Sequence, residues 1–132
     1  MKMTGNKVLI ADDEIHIIHV VAIKLRNNGY EVVAASNGAE AYELACSEQP
    51  DIIVTDYQMP FVTGIELIEK LRANEQTQHT PAILLTARSF AISQELQETL
   101  GVEACLSKPF SPKELLKTIQ DILHEKAMAL KV

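Results

Sequence analysis

Five short apolar runs limit what this chain can fold into. They occupy residues 8–11, 32–35, 52–55, 82–86 and 104–106. Each is β-branched or apolar nearly throughout, with no polar alternation, as expected of strands covered on both faces. Amphipathic stretches of helical length separate them. In the first, Ile18, Val21, Ala22 and Leu25 recur at helical spacing before an Asn28-Gly29 stop. The second covers about residues 39–47. The third starts near Gly64, which serves the turn into it, and carries Ile65, Leu67, Ile68 and Leu71. The fourth carries Phe90, Ile92, Leu96 and Leu100, with Gly101 as its C′ residue. The last begins with Ser111 as N-cap, Pro112 in the first helical position and Glu114 completing a capping box. Its apolar face is Leu115, Leu116, Ile119, Ile122 and Leu123. Strand and helix thus alternate five times, which predicts an α/β fold: a five-stranded parallel sheet, doubly wound, with helices on both faces.

With 132 residues the chain suits one domain, 1–132, with a core at about 7–123 and a final helix running to about 130. A formal net charge of −6, with Lys and Arg scattered, argues against direct contact with nucleic acid. The start of the chain lacks the apolar segment of a signal peptide, and no apolar stretch is long enough to span a bilayer. Cys46 and Cys105 lie far apart without CxxC spacing, and read as small buried hydrophobes in a reducing cytoplasm.

In such a sheet, ligands collect at the carboxyl ends of the strands. Asp12, Asp13 and Glu14 follow the first run. Asp56, then Tyr57, Gln58, Met59 and Pro60, follow the third. Thr86 ends the fourth, with Ala87 next, and Ser107, Lys108 and Pro109 follow the fifth. Carboxylates, a hydroxyl and an ammonium therefore converge on one edge from four distant stretches. Crowded carboxylates repel one another unless a cation is present. Mg²⁺ suits one or two carboxylates, waters and a phosphate oxygen.

These residues closely resemble the receiver domain of bacterial two-component response regulators. The matching segments are VLIADDE at 8–14, DIIVTDYQMPFVTG at 51–64, ILLTA at 83–87 and LSKPF at 106–110, and the resemblance covers about residues 7–123. It implies the flavodoxin-like strand order 2-1-3-4-5. It also implies a regulatory phosphoacceptor, assisting its own phosphorylation and dephosphorylation, in place of a metabolic enzyme. Asp56 would take the phosphoryl group from a phosphohistidine on a sensor histidine kinase or phosphotransfer protein. Asp13, Asp56 and the Gln58 carbonyl would ligate Mg²⁺ directly, and Asp12 through water. Lys108 would pair with a phosphoryl oxygen, beside a cis Lys108–Pro109 bond. The Thr86 hydroxyl and the Ala87 N–H would hydrogen-bond the attached group. A downstream protein or output domain would read the change, and the resemblance leaves a homodimer open. No membrane contact is expected.

Three positions depart from the pattern or tune it. Receiver domains usually carry Tyr or Phe where this chain has Cys105, and a thiol cannot fill that volume, so the readout of phosphorylation is expected to differ. Gln58 and Arg88, two residues after Asp56 and Thr86, flank the site where relatives adjust attack by water. A constitutive interaction module of the same fold is the alternative function, resting on Cys105. A haloacid dehalogenase-type hydrolase would carry a second Asp where Gln58 stands. His16 and His19 lack a third metal ligand and read as surface residues, as do His79 and His124. Ile15, Ile17, Val20 and Ile23 exceed what one buried helix face needs. They mark either a broad stripe with scattered exposed residues or a partner-binding face. Ala127 and Leu130 either extend an interface or sit in a fraying tail.

Overall fold

A computed structural model describes residues 6–87 and 92–130. The elements alternate as β1 (Lys7–Ala11), α1 (Ile15–Arg26), β2 (Glu31–Ala35), α2 (Gly38–Glu48), β3 (Ile52–Asp56), α3 (Gly64–Arg72), β4 (Ala82–Thr86), α4 (Gln94–Leu100), β5 (Val102–Ser107) and α5 (Pro112–Leu130). The strands form one sheet ordered β2-β1-β3-β4-β5, and every pairing is parallel. The expected doubly wound architecture and strand order are both present.

Successive strand residues point to opposite faces, and both faces are covered. Val8, Ile10, Ile52, Val54, Ile83 and Leu85 pack with Ile18, Val21 and Leu25 of α1 and Leu115, Ile119 and Ile122 of α5. Leu9, Ala11 and Ile53 meet Ala41 and Ala45 of α2 and Leu67 and Leu71 of α3. Ala82 and Leu84 meet Ile68, Ile92 and Leu100. This two-sided burial is why the runs show no polar alternation. Each fully buried Leu or Ile contributes roughly 1.5–3 kcal/mol. The registers set Ala11 beside Thr55, Asp56 beside Leu85, and Thr86 beside Ser107. The carboxyl ends of four strands therefore lie along one rim.

Local chemistry sets the helix starts. Asn37 accepts from the Glu40 N–H at 2.8 Å, and Ser93 from the Leu96 N–H at 3.1 Å. At α3 a full capping box joins Thr63 and Glu66, a T-x-x-E signal that the sequence carries in plain view. At α5 the Glu114 N–H donates to Ser111 Oγ at 3.0 Å. Gly101 closes α4 in the left-handed conformation, at φ 69°.

Some expectations need correcting. Helix α4 starts at Gln94 because Ser93 caps it, so the buried Ile92 precedes the helix. Phe90 lies outside the described residues. Both cysteines are only partly buried, and Cys46 Sγ accepts from Asn74 Nδ2 at 3.5 Å. The final helix is continuous to 130, and its last turns are exposed, Ala127 included. Lys126 pairs with Glu103 of β5 at 3.1 Å. The Leu130 side chain is outside the described part. On α1, Ile15, Val20 and Ile23 are 69%, 51% and 59% exposed. Their bareness leaves both readings of that helix standing, while Ile17 is half-buried against the core.

Candidate functional site

Asp12 is the first residue beyond β1. Its N–H extends the sheet by donating to the Ala35 carbonyl at 3.1 Å. Its Oδ1 accepts the Glu14 N–H at 2.9 Å. That turn starts α1, whose N-cap Glu14 makes no side-chain capping bond of its own. Asp12 Oδ2 is fully buried and, among the described residues, has no hydrogen-bond donor. Lys108 Nζ stands 3.0 Å from it as an ion pair.

Asp56 ends β3 and is nearly buried. Asp13 is exposed at the rim. Asp12, Asp13 and Asp56 each offer an oxygen within 4.8 Å of the others, close enough for all three to face one small cation. Lys108, just past β5, directs its ammonium into the same space: 2.9 Å from Glu14 Oε1, 3.0 Å from Asp12 Oδ2 and 3.3 Å from Asp56 Oδ1. Its own N–H donates to the Thr86 carbonyl at 2.7 Å, and the Lys108–Pro109 bond is cis. Thr86 is fully buried, and among the described residues its hydroxyl has no hydrogen-bond partner. Ala87 follows, exposed, and shares a surface groove with Lys108, Pro109, Phe110 and Ile17.

Carboxylates outnumber the ammonium here, and this shifts their proton affinities. Burial, then the charge of Asp12, pushes Asp56 up to about 6 against the pull of Lys108. Burial also raises Asp12, partly countered by the Glu14 N–H and by Lys108. Burial alone would discharge Lys108, but its contacts with Glu14, Asp12 and Asp56 outweigh it and hold the ammonium above its usual range. The bond from Lys108 lowers Glu14. Together these shifts describe a pocket with spare negative charge.

The predicted residues separate into two groups. Asp12, Asp13, Asp56, Thr86, Ala87 and Lys108 come together at the rim. Gln58 is exposed on the loop after β3. Cys105 packs away from the rim, against the Ile68–Leu84 cluster that Tyr57 also touches. Burial raises its thiol pKa. Arg88 lies outside the described residues. Sequence reasoning missed Glu14 as the hydrogen-bond partner of Lys108. It also gave Gly64 a turn role alone. A Cβ there would collide with the Asp56 carbonyl oxygen, and one at Gly38 with the Val62 carbonyl oxygen. The two glycines let the loop that follows the Asp56 strand fold down tightly.

A family profile described as the response regulator receiver domain matches residues 8–120. This chain belongs to that family. Among curated relatives, the receiver domain is 37% identical to the alkaline phosphatase synthesis transcriptional regulatory protein PhoP of Bacillus subtilis, over 95% of this chain and 51% of that protein. It is 35% identical to the phosphate regulon transcriptional regulatory protein PhoB of Pseudomonas aeruginosa, over 92% and 53%. The chain thus spans about half the length of these relatives. Among solved structures, the chemotaxis response regulator CheY4 of Vibrio cholerae superposes with a TM-score of 0.83 at 37% identity, covering 90% of this chain and 99% of that one. The receiver domain of the Pseudomonas aeruginosa sensor histidine kinase PA1611, solved with a magnesium ion coordinated in its active site cleft, gives 0.81 at 28%, over 91% and 98%.

Proposed function

We propose that this receiver domain is a phosphorylation-controlled signalling switch whose acceptor is Asp56. The observation that carries the reading is the meeting of Asp12, Asp13 and Asp56 with the Lys108 ammonium, 3.3 Å from Asp56 Oδ1. The buried Asp12 Oδ2, without a hydrogen-bond donor among the described residues, and the excess of carboxylates fit a divalent cation. Asp12, Asp13 and Asp56, with the Gln58 carbonyl, would hold Mg²⁺. When bound, the ion would neutralise charge on the carboxylates and on the arriving phosphoryl group.

The chain's own part is alignment and charge neutralisation. An Asp56 oxygen attacks phosphorus, forming a P–O bond as the P–N bond of the phosphohistidine breaks. The leaving imidazole nitrogen keeps the electron pair and takes a proton. Lys108 meets one phosphoryl oxygen; the Thr86 hydroxyl and the Ala87 N–H serve another. Losing a donor of this kind typically costs on the order of 10²–10³ in rate. Gln58 and Arg88 tune attack by water on the product. The donor is a sensor histidine kinase or phosphotransfer protein, and a downstream protein or output domain reads the altered surface. We place the switch in the cytoplasm; among the described residues no helix is long and apolar enough to cross a membrane.

Incubation with acetyl phosphate and Mg²⁺, followed by mass spectrometry, tests the assignment. One phosphoryl group on Asp56 is expected, with none on Asp56→Asn; undiminished labelling of that variant would show that the acceptor is another residue. The second reading, a constitutive interaction module, is favoured by Cys105, and absence of labelling in the wild type would support it.

A further inference from the structure

Lys108 is surrounded by three carboxylates, yet its directed hydrogen bond goes to the one with no place in the acceptor chemistry, Glu14 Oε1 at 2.9 Å. Asp12 Oδ2 and Asp56 Oδ1 lie within ion-pair distance, at 3.0 and 3.3 Å. We infer that Glu14 is a positioning residue that parks the Lys108 ammonium at the mouth of the site and must release it before Lys108 can meet a phosphoryl oxygen. The inference rests on the reading of Asp56 as acceptor.

Three features favour parking over permanent anchoring. First, Glu14 is the solvated member of the set: its side chain is 46% exposed, whereas that of Asp12 is fully buried. An exposed carboxylate that loses its partner is rehydrated at little cost, while a buried one is left unpaired at several times that cost. Second, the Glu14 backbone is fixed. Its N–H is held by Asp12 Oδ1 at 2.9 Å, and its carbonyl accepts the Ile17 and Ile18 N–H groups at 3.1 and 3.3 Å. Only the flexible side chain need move to free the lysine. Third, a positive charge placed among Asp12, Asp13 and Asp56 repels the ammonium from that cluster and shifts it toward Glu14. The hold is then strongest in the state that awaits a phosphoryl group, and the arriving dianion must outcompete one exposed carboxylate.

Glu14→Gln and Glu14→Asp test this together. Gln keeps the size and loses the charge. Asp keeps the charge but is one methylene short of the ammonium. If Glu14 parks Lys108, both variants accept the phosphoryl group from acetyl phosphate faster than wild type. The gain should be roughly 1.5- to fivefold, the range set by one exposed ion pair. In a Lys108→Ala background neither substitution changes the rate. In the metal-free protein, the Lys108 side-chain NMR signals shift on either substitution. Acceleration by Gln with Asp unchanged would mean that the local negative charge merely repels the donor, and would overturn the inference. So would an effect that persists without Lys108, or equal rates for all three proteins. Failure of wild-type Asp56 to take up phosphate would instead sink the proposed function, and mass spectrometry of the wild type separates the two.

Discussion

Gly64 faces the backbone oxygen of Asp56 so closely that a Cβ at this position has no room. The obstacle is main chain at the end of a fully buried strand, so it cannot swing aside as a long side chain would. The Gly64 N–H also donates to the Tyr57 carbonyl at 2.9 Å, closing the loop onto the strand. Gly64→Ala should therefore lift the loop that carries Gln58 and Met59. The expected cost is about 1–3 kcal/mol, typical of overpacking a tight site, measured by urea unfolding. Labelling of Asp56 should fall with it. A variant of wild-type stability would mean that the loop has slack this geometry does not show.

A second anchor lies at the other end of the sheet. Arg72, at the end of α3, donates to the carbonyls of Leu100, Thr80 and Gly101 at 2.7, 2.7 and 3.2 Å, and to those of Gln78 and Thr77 at 3.2 and 3.4 Å. Its guanidinium joins the C-terminus of α4 to the loop entering β4. A lysine offers a single point charge and cannot span these acceptors. Arg72→Lys is expected to cost roughly 2 kcal/mol, since several bonds from a charged, half-buried donor are lost. Hydrogen exchange should quicken in residues 73–81 and around Gly101. Unchanged protection there would show that the loop holds itself.

The sheet was legible because its strands are buried on both faces, which leaves unbroken apolar runs. The acidic rim was legible because Asp12, Asp13, Asp56 and Lys108 each sit one or two residues from such a run. Other features had weaker signals. The start of α4 was misplaced because Ile92 is as buried as a helix-face residue, and the cap at Ser93 outranks apolar spacing. The work of Arg72 left no trace, since all its acceptors are main-chain carbonyls, which every residue has. The Glu14–Lys108 bond spans 94 positions and depends on side-chain direction. The need for glycine at position 64 comes from proximity to a strand, and no local pattern records that.

Proton binding at Asp56 gives a prediction with a definite sign. The folded chain holds this carboxyl at about 6, against about 3.9 in an unfolded chain. A raised pKa means that the folded state binds the proton more tightly. The stabilisation is complete below about pH 4 and is lost as pH rises through 6. Burial shifts Asp12 in the same direction. In metal-free protein, Asp56→Asn should thus be the more stable form at pH 7, by on the order of 2 kcal/mol, with little difference at pH 4. Mg²⁺ should stabilise wild type at pH 7 and progressively less as protons return toward pH 4. Urea titrations at both pH values check this; a less stable Asp56→Asn at pH 7 would mean that Lys108 repays the ionised carboxylate in full.

Thr86 separates stability from function. Its hydroxyl is fully buried without a partner among the described residues, a burden of roughly 1–3 kcal/mol for a polar group taken from water. Valine has nearly the same shape and no such group. In the unphosphorylated, metal-free chain, Thr86→Val should be at least as stable as wild type, which is unusual for a substitution at a fully buried polar position. With a phosphoryl group on Asp56 the balance reverses, because the hydroxyl then has an acceptor. Beryllofluoride, a phosphoryl mimic, should bind Thr86→Val about tenfold more weakly in the presence of Mg²⁺, as expected for one lost hydrogen bond to a charged group. Unfolding curves and a binding titration together check the pair of signs. A clear loss of stability in the metal-free variant would show that the hydroxyl already has a partner, and that Thr86 is structural before it is chemical.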